Sequence, residues 1–188
     1  RAAQLAYFSV MMKACQYDKR FLRRNVQPHV YAIVESNHVD PNVVDYFCNG
    51  DAKLKEAMDT IIDELHDAKE YGSIITVSQQ DWDALHDRFE EIQNENVMSI
   101  YTDAALELRT MVKVAEALAK KYDVVVTNPP YMGSSGMSEK LSNYVKKNYP
   151  DSKSDLFAVF IEHGNEMVEK DSFNCMVTMQ SWMFLASF

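Results

Sequence analysis

With 188 residues, 47% of them hydrophobic and 25% charged, the chain is long enough for one globular domain with a substantial core and requires no second one. A net charge of −9 with a pI near 5.0 is the wrong sign for a surface that follows phosphates unaided, and no apolar stretch approaches the roughly eighteen residues that span a bilayer. Cys15, Cys48 and Cys175 lack Cys-x-x-Cys spacing, which argues against a disulfide framework or zinc cluster and suits reduced, mostly buried thiols; with no signal-peptide pattern, the expected location is cytoplasmic.

Leu5, Phe8 and Met12 recur at helical spacing while Ala2, Ala6 and Val10 widen the apolar face, so the chain opens in a helix expected to be largely buried. Lys19, Arg20, Arg23 and Arg24 follow as a basic group, suited either to phosphate or to a solvated face. Residues 30–35 are rich in β-branched side chains and follow Pro28, which predicts a strand. From Asp51 to Tyr71 a 3.6-residue period in Leu54, Ala57, Met58, Ile61, Ile62, Leu65 and Ala68 predicts a helix stopped by Gly72. Residues 73–77 read as a short strand, and Ser78 to Asp81 approximates a capping box with Asp in place of Glu. Trp82, Leu85, Phe89 and Ile92 mark the next helix. Another, from about Asp103 to Lys121, turns Leu108, Met111, Val112, Ala115 and Leu118 inward and sets Lys120 and Lys121 against its dipole. These helices, at about residues 38–120, exceed what one crossover needs and read as a helical insertion, either scaffold or partner surface.

Val124, Val125, Val126 and Thr127 predict a buried strand, and Asn128, Pro129, Pro130 and Tyr131 follow it directly. The two prolines fix φ and remove two backbone donors, so the Pro129 carbonyl is free to point outward beside the Asn128 side chain. Tyr131 then supplies a stacking face. The result is a rigid polar cradle for a planar nitrogen, placed where open α/β sheets hold ligands, beyond the carboxyl end of a strand. Asn-Pro and Pro-Pro also punctuate ordinary turns, which is the competing reading. Residues 132–138 have the small-residue composition of a mobile loop or of a plain connection.

Lys140, Lys146, Lys147 and Lys153 form a second basic group. A helix over residues 154–170 presents Leu156, Phe157, Phe160, Ile161, Met167 and Val168, and a strand over residues 173–179 alternates Phe173, Cys175, Val177 and Met179 with Asn174, Met176 and Thr178. That strand should neighbour the one at residues 122–127 in a mainly parallel sheet, with the helix as its crossover. Trp182 either lines a base pocket or belongs to the core. The five histidines show no metal-ligand spacing; His86 reads as exposed and His163 as structural.

The stretch from Tyr122 to Gly133 closely resembles the catalytic strand and loop of N6-adenine DNA methyltransferases that use S-adenosylmethionine. Three further segments are similar to the same family in the family's order: residues 1–14, opening Arg1-Ala2-Ala3-Gln4-Leu5; residues 154–168, with Asp155-Leu156-Phe157; and residues 173–184, ending in Trp182-Met183-Phe184. Within that family the likeness is to the large methylases of type II restriction-modification and bacteriophage-exclusion systems, and it covers about half of the chain.

The resemblance implies an α/β fold: part of a Rossmann-like methyltransferase sheet with a helical insertion, residues 1–188 forming a piece of one catalytic domain. It implies Asn128, Pro129, Pro130 and Tyr131 as the catalytic set, with Asn128 also facing the cofactor, and Tyr131, Trp182, Lys146 and Lys147 as substrate contacts. No Gly-x-Gly occurs in the chain, so the family's cofactor loop is expected elsewhere and these residues alone should bind S-adenosylmethionine weakly or not at all. DNA would be gripped by a separate recognition domain, with defence-system subunits as further partners and no membrane. The rivals are enzymes with the same tetrapeptide that methylate glutamine amides or RNA guanine amines, and a catalytically silent scaffold.

Overall fold

The computed structural model describes residues 1–95 and 99–184. Its first element, α1 (Ala2–Tyr17), is followed by a 3-10 turn at Phe21–Arg24 and an irregular extended segment. Helices α2 (Pro41–Cys48), α3 (Ala52–Glu64), the short α4 (Ala68–Tyr71), α5 (Trp82–Asn94) and α6 (Thr102–Ala119) come next. Strand β1 (Tyr122–Thr127), helices α7 (Glu139–Asn148) and α8 (Leu156–Met167), and strand β2 (Val168–Met176) complete the regular structure. The architecture is mixed α/β, with two parallel strands and α8 as the connection immediately preceding β2.

Local chemistry sets the helix starts. Asp40, Asp51 and Asp81 each cap a helix by accepting from backbone N–H groups: Asn42 N at 2.9 Å, Lys53 N at 2.8 Å and Ala84 N at 3.1 Å. Pro41 occupies the first turn of α2, where its missing donor costs nothing.

The larger core lies among α2, α3, α5 and α6. Val44, Phe47, Met58, Ile61, Leu85, Phe89, Ile92, Val112 and Ala115 are buried, with the Phe47 and Phe89 rings 4.6 Å apart. Arg88 is buried beside them and paired, donating from Nε to the Phe47 carbonyl at 2.7 Å and from Nη1 to Glu91 and Glu95 at 2.9 and 3.0 Å. A second core joins Ile74 to Leu141, Val145 and Tyr149 around α7 and to Leu156 and Val159 of α8.

In the sheet, Val124, Val125, Val126 and Thr127 pair with Phe173, Asn174, Cys175 and Met176. Upstream, Tyr122 pairs with Val168, so β2 takes five steps where β1 takes two, and Asp171 (φ 63°) lies in that irregularity. One face of the pair rests on α8. There Gly164 approaches β2 so closely that an added Cβ would lie 2.5 Å from the Met176 Cε and 2.7 Å from the Asn174 Nδ2. The other face carries Val124, Val126, Phe173 and Cys175 and is exposed.

Several expectations are corrected. None of α1 is buried: its apolar residues lie nearly all round the helix instead of on one face, and among the described residues no element covers them. Residues 30–35 are extended without strand pairing, because Ile33 and Val34 pack against helices that offer no ladder. Residues 73–77 likewise form no strand; Gly72–Ile74 is a 3-10 turn, and Ile74, Ile75 and Val77 are buried by side-chain packing alone.

The helix expected through Tyr71 breaks after Glu64, where Asp67 adopts a left-handed conformation (φ 56°), and resumes as α4 before Gly72 (φ 68°) ends it. Ser78 is not a helix cap, since its N–H donates to Glu64 and Asp81 takes the cap position nearest the first turn. Helix α8 is shorter than expected and β2 begins five residues earlier, at Val168, so the crossover reaches the sheet sooner. Of the cysteines only Cys48 is buried, with burial pushing its thiol up to about 11; Cys175 is exposed on the open sheet face.

Candidate active site

β1 delivers its last residue, Thr127, beside the outgoing end of β2, where Val177 N donates to the Thr127 carbonyl at 3.4 Å. The ladder stops there because the next residue of this strand facing β2 is Pro129, which has no N–H to donate. Asn128 is exposed, Pro129 is buried beneath it, and Tyr131 is half-exposed. The tetrapeptide therefore stands outside the carboxyl end of a parallel strand, as its sequence context predicts.

Tyr131 fixes the cradle from two sides. Its ring meets Phe157 of α8 edge-on, with centroids 6.2 Å apart and planes at 71°. Its hydroxyl donates to the Val177 carbonyl at 2.8 Å and lies 3.3 Å from Asn128 Oδ1. A phenol has one hydrogen, so the shorter contact takes it; an Asn128 amide turned to present Nδ2 to the phenol oxygen would satisfy all three groups and aim Oδ1 outward.

The segment after Tyr131 is tied to the start of α8 and is a held connection. Met132 N donates to Asp155 Oδ1 at 3.2 Å, Leu156 N to the Met132 carbonyl at 2.9 Å, and Ser134 N to the Ser154 carbonyl at 3.0 Å, while Gly133 and Asp155 form an antiparallel bridge. At its far end Ser138 caps α7 and bonds Glu70.

Other sequence candidates fall elsewhere. Lys147 lines a groove with Asp63, Glu64, His66 and Tyr144, Lys146 is exposed on the last turn of α7, and Lys140 pairs with Asp67 at 2.8 Å; the groove's lining contains no cradle residue. Trp182 sits on a 3-10 turn beyond β2 and donates to Thr178 Oγ1 at 3.0 Å, within its own segment. Arg24 of the first basic group is bound to Asp18. His86 pairs with Glu116 at 2.8 Å, and His163 is buried. No cluster of metal-binding side chains occurs among the described residues.

Sequence reasoning did not nominate Asp155, Phe157 or Val177 as parts of the site. Asp155 was visible as a capping residue before an apolar run, but its second bond, to Met132, depends on tertiary geometry.

A family model described as Eco57I restriction-modification methylase matches residues 1–188. The adenine-specific methyltransferase BrxX of Escherichia coli O9:H4 (strain HS) is 38% identical over 212 residues, covering 100% of this chain and 18% of the relative. The adenine-specific methyltransferase PglX of Lacticaseibacillus casei (strain Zhang) is 34% identical over 193 residues, covering 100% of this chain and 16% of the relative. The chain thus spans less than a fifth of the length of these curated relatives. By the match of the family model along its whole length, the chain belongs to the Eco57I restriction-modification methylase family.

Proposed function

We propose that this chain is the catalytic segment of an adenine-specific DNA methyltransferase serving restriction-modification or phage defence, and that Asn128 to Tyr131 hold the reacting amine. The observation that carries this reading is an exposed Asn128 beside a half-exposed Tyr131 at the carboxyl end of a parallel strand. The names of both relatives favour adenine over a glutamine amide or a guanine amine.

Adenine's exocyclic amine is a poor nucleophile because its lone pair is delocalised into the ring. In this proposal the Asn128 side-chain oxygen and the Pro129 carbonyl accept its two hydrogens and favour a pyramidal nitrogen, so that positioning supplies much of the rate without a strong base. A duplex hides the amine, so the base must leave the stack, and Tyr131 offers the face that receives it. S-adenosylmethionine, when bound, supplies an electrophilic methyl group. Asn128 is the residue of this chain that would face it, since its side chain is exposed and the chain has no Gly-x-Gly loop for the cofactor's far end.

The same reading makes the two strands part of a larger Rossmann-like sheet, with α2 to α6 as a helical insertion. The exposed apolar face of the strands supports this, because parallel sheets are ordinarily covered on both faces. DNA is then held mainly by regions other than this acidic chain, in the cytoplasm. No helix among the described residues is long and apolar enough to cross a membrane.

The test is single-turnover methyl transfer to DNA in the complete polypeptide at saturating cofactor. Asn128→Ala should lower the rate roughly a hundred- to thousandfold, by about 2.7 to 4 kcal/mol, with DNA affinity retained. Near-normal turnover by that variant would end the adenine-cradle assignment.

A further inference from the structure

At the start of α8 one carboxylate makes a bond to the cradle's outgoing limb beyond its helix-capping role. Oδ1 of Asp155 accepts from Phe157 N at 3.2 Å, which is ordinary helix capping, and also from Met132 N at 3.2 Å, which capping does not require. Those two donors flank Tyr131: Met132 is its chain neighbour, and Phe157 is the ring its own ring meets edge-on. Backbone bonds reinforce the junction, from Leu156 N to the Met132 carbonyl and from Ser134 N to the Ser154 carbonyl. Helix α8 is in turn seated on β2 through the close approach at Gly164. Beside these backbone bonds, one side-chain oxygen joins the segment leaving the cradle to the helix that carries its aromatic support.

We propose that Asp155 is a positioning residue for methyl transfer, an inference that rests on the cradle reading above: its Oδ1 holds the outgoing limb of residues 128–131 so that Tyr131 and Asn128 keep one geometry relative to each other. It touches no substrate. Its function requires an acceptor oxygen of the right reach, and no negative charge.

Variants that separate capping from clamping test this in the complete polypeptide. Asp155→Ser and Asp155→Thr keep a cap-competent oxygen, Thr being suited to the extended backbone at this position (φ −149°), but their shorter side chains cannot also reach Met132 N. Asp155→Asn retains Oδ1. Ser and Thr variants should fold, by circular dichroism, and bind DNA normally while the single-turnover rate falls roughly 10- to 100-fold, the scale of a small misplacement of reacting groups. Asp155→Asn should restore the rate to near wild type. An unchanged rate in either folded cap-competent variant would overturn the proposal, as would an Asn variant as slow as Ser. Asn128→Ala measured alongside separates the two ideas. If it too is unimpaired, the cradle reading fails, whereas loss with Asn128→Ala and normal rates with Ser and Thr remove only the clamp.

Discussion

The helical layer of α2, α3, α5 and α6 and the strand pair with α1 both carry many apolar residues, yet they bury them very differently. Phe47, Phe89 and Ile61 are 0% exposed, whereas Phe8 of α1 is 60% exposed and Val126 of β1 is 73% exposed. The helices face one another, so each apolar stripe finds another. Among the described residues, the sheet is covered by α8 on one side and left open on the other. Periodicity reports which face of an element is apolar; it does not report whether anything lies against that face.

Paired truncations make this contrast measurable. Phe47→Ala empties a site closed by Phe89 and the buried Arg88, and should cost about 3 to 5 kcal/mol in denaturant-induced unfolding. Phe8→Ala in the same polypeptide should stay within about 0.5 kcal/mol if α1 is as open as it is here. A comparable loss at both positions would mean that another surface covers α1, and the contrast would then belong to this chain alone.

The same contrast decides what was legible in the sequence. β1, its parallel pairing with β2 and the helices α3, α5 and α6 were readable because their patterns are long and their partners lie within the chain, whereas the eight-residue α2 was not read. Residues 30–35 and 73–77 were not, since a short β-branched run looks the same whether its backbone pairs with a strand or its side chains simply fill a gap beside helices. At the candidate site, the place of Asn128 to Tyr131 beyond the end of β1 was legible from composition and position. Val177, Phe157 and Asp155 were not, because they join the cradle only after β2 and α8 have docked. Of the lysines, Lys140 pairs with Asp67, and Lys147 lines a groove that also contains Asp63 and Glu64, arrangements that basic composition alone does not reveal.

The covered side of the sheet gives a smaller, sharper test. Gly164→Ala would place its Cβ against Met176 Cε and the Asn174 side chain. Met176 has a flexible end that can turn away. Asn174 is held by bonds from its Nδ2 to the Ile161 carbonyl at 3.2 Å and to Asn165 Oδ1 at 2.9 Å, so part of the strain stays. Overpacking of this kind costs about 1 to 3 kcal/mol, partly offset by about 1 kcal/mol from alanine's better helix propensity. The expected net loss in unfolding free energy is on the order of 1 kcal/mol, and unchanged or greater stability would show that α8 and β2 have slack between them.

The gentlest probe lies where the second core meets α8. Tyr149 donates its hydroxyl hydrogen to the Ile74 carbonyl at 2.6 Å, so the 2.9 Å contact with His163 requires Nδ1 of the imidazole to carry a hydrogen and donate to the phenol oxygen. Burial holds His163 below the ordinary histidine range, and the positive charge of Lys121 lowers it further, against an opposing backbone hydrogen bond at Ser73. Burial also pushes the Tyr149 phenol up, which keeps it protonated and able to donate. The sign of the pH effect follows from this. In the unfolded chain His163 protonates near 6.5, while in the folded chain it stays neutral to lower pH, so between those two values the unfolded state binds more protons. Stability from this residue is therefore intact above about pH 6.5 and lost as pH falls toward its depressed folded value. Unfolding free energy measured across that window should fall less steeply for His163→Gln than for wild type, although the variant starts lower through its disturbed bond to Tyr149. Equal slopes would mean that His163 takes up its proton in the fold as readily as in the unfolded chain, and below that pH the junction between the helical side and the sheet would hold a charge that Glu166, 3.9 Å away, must balance.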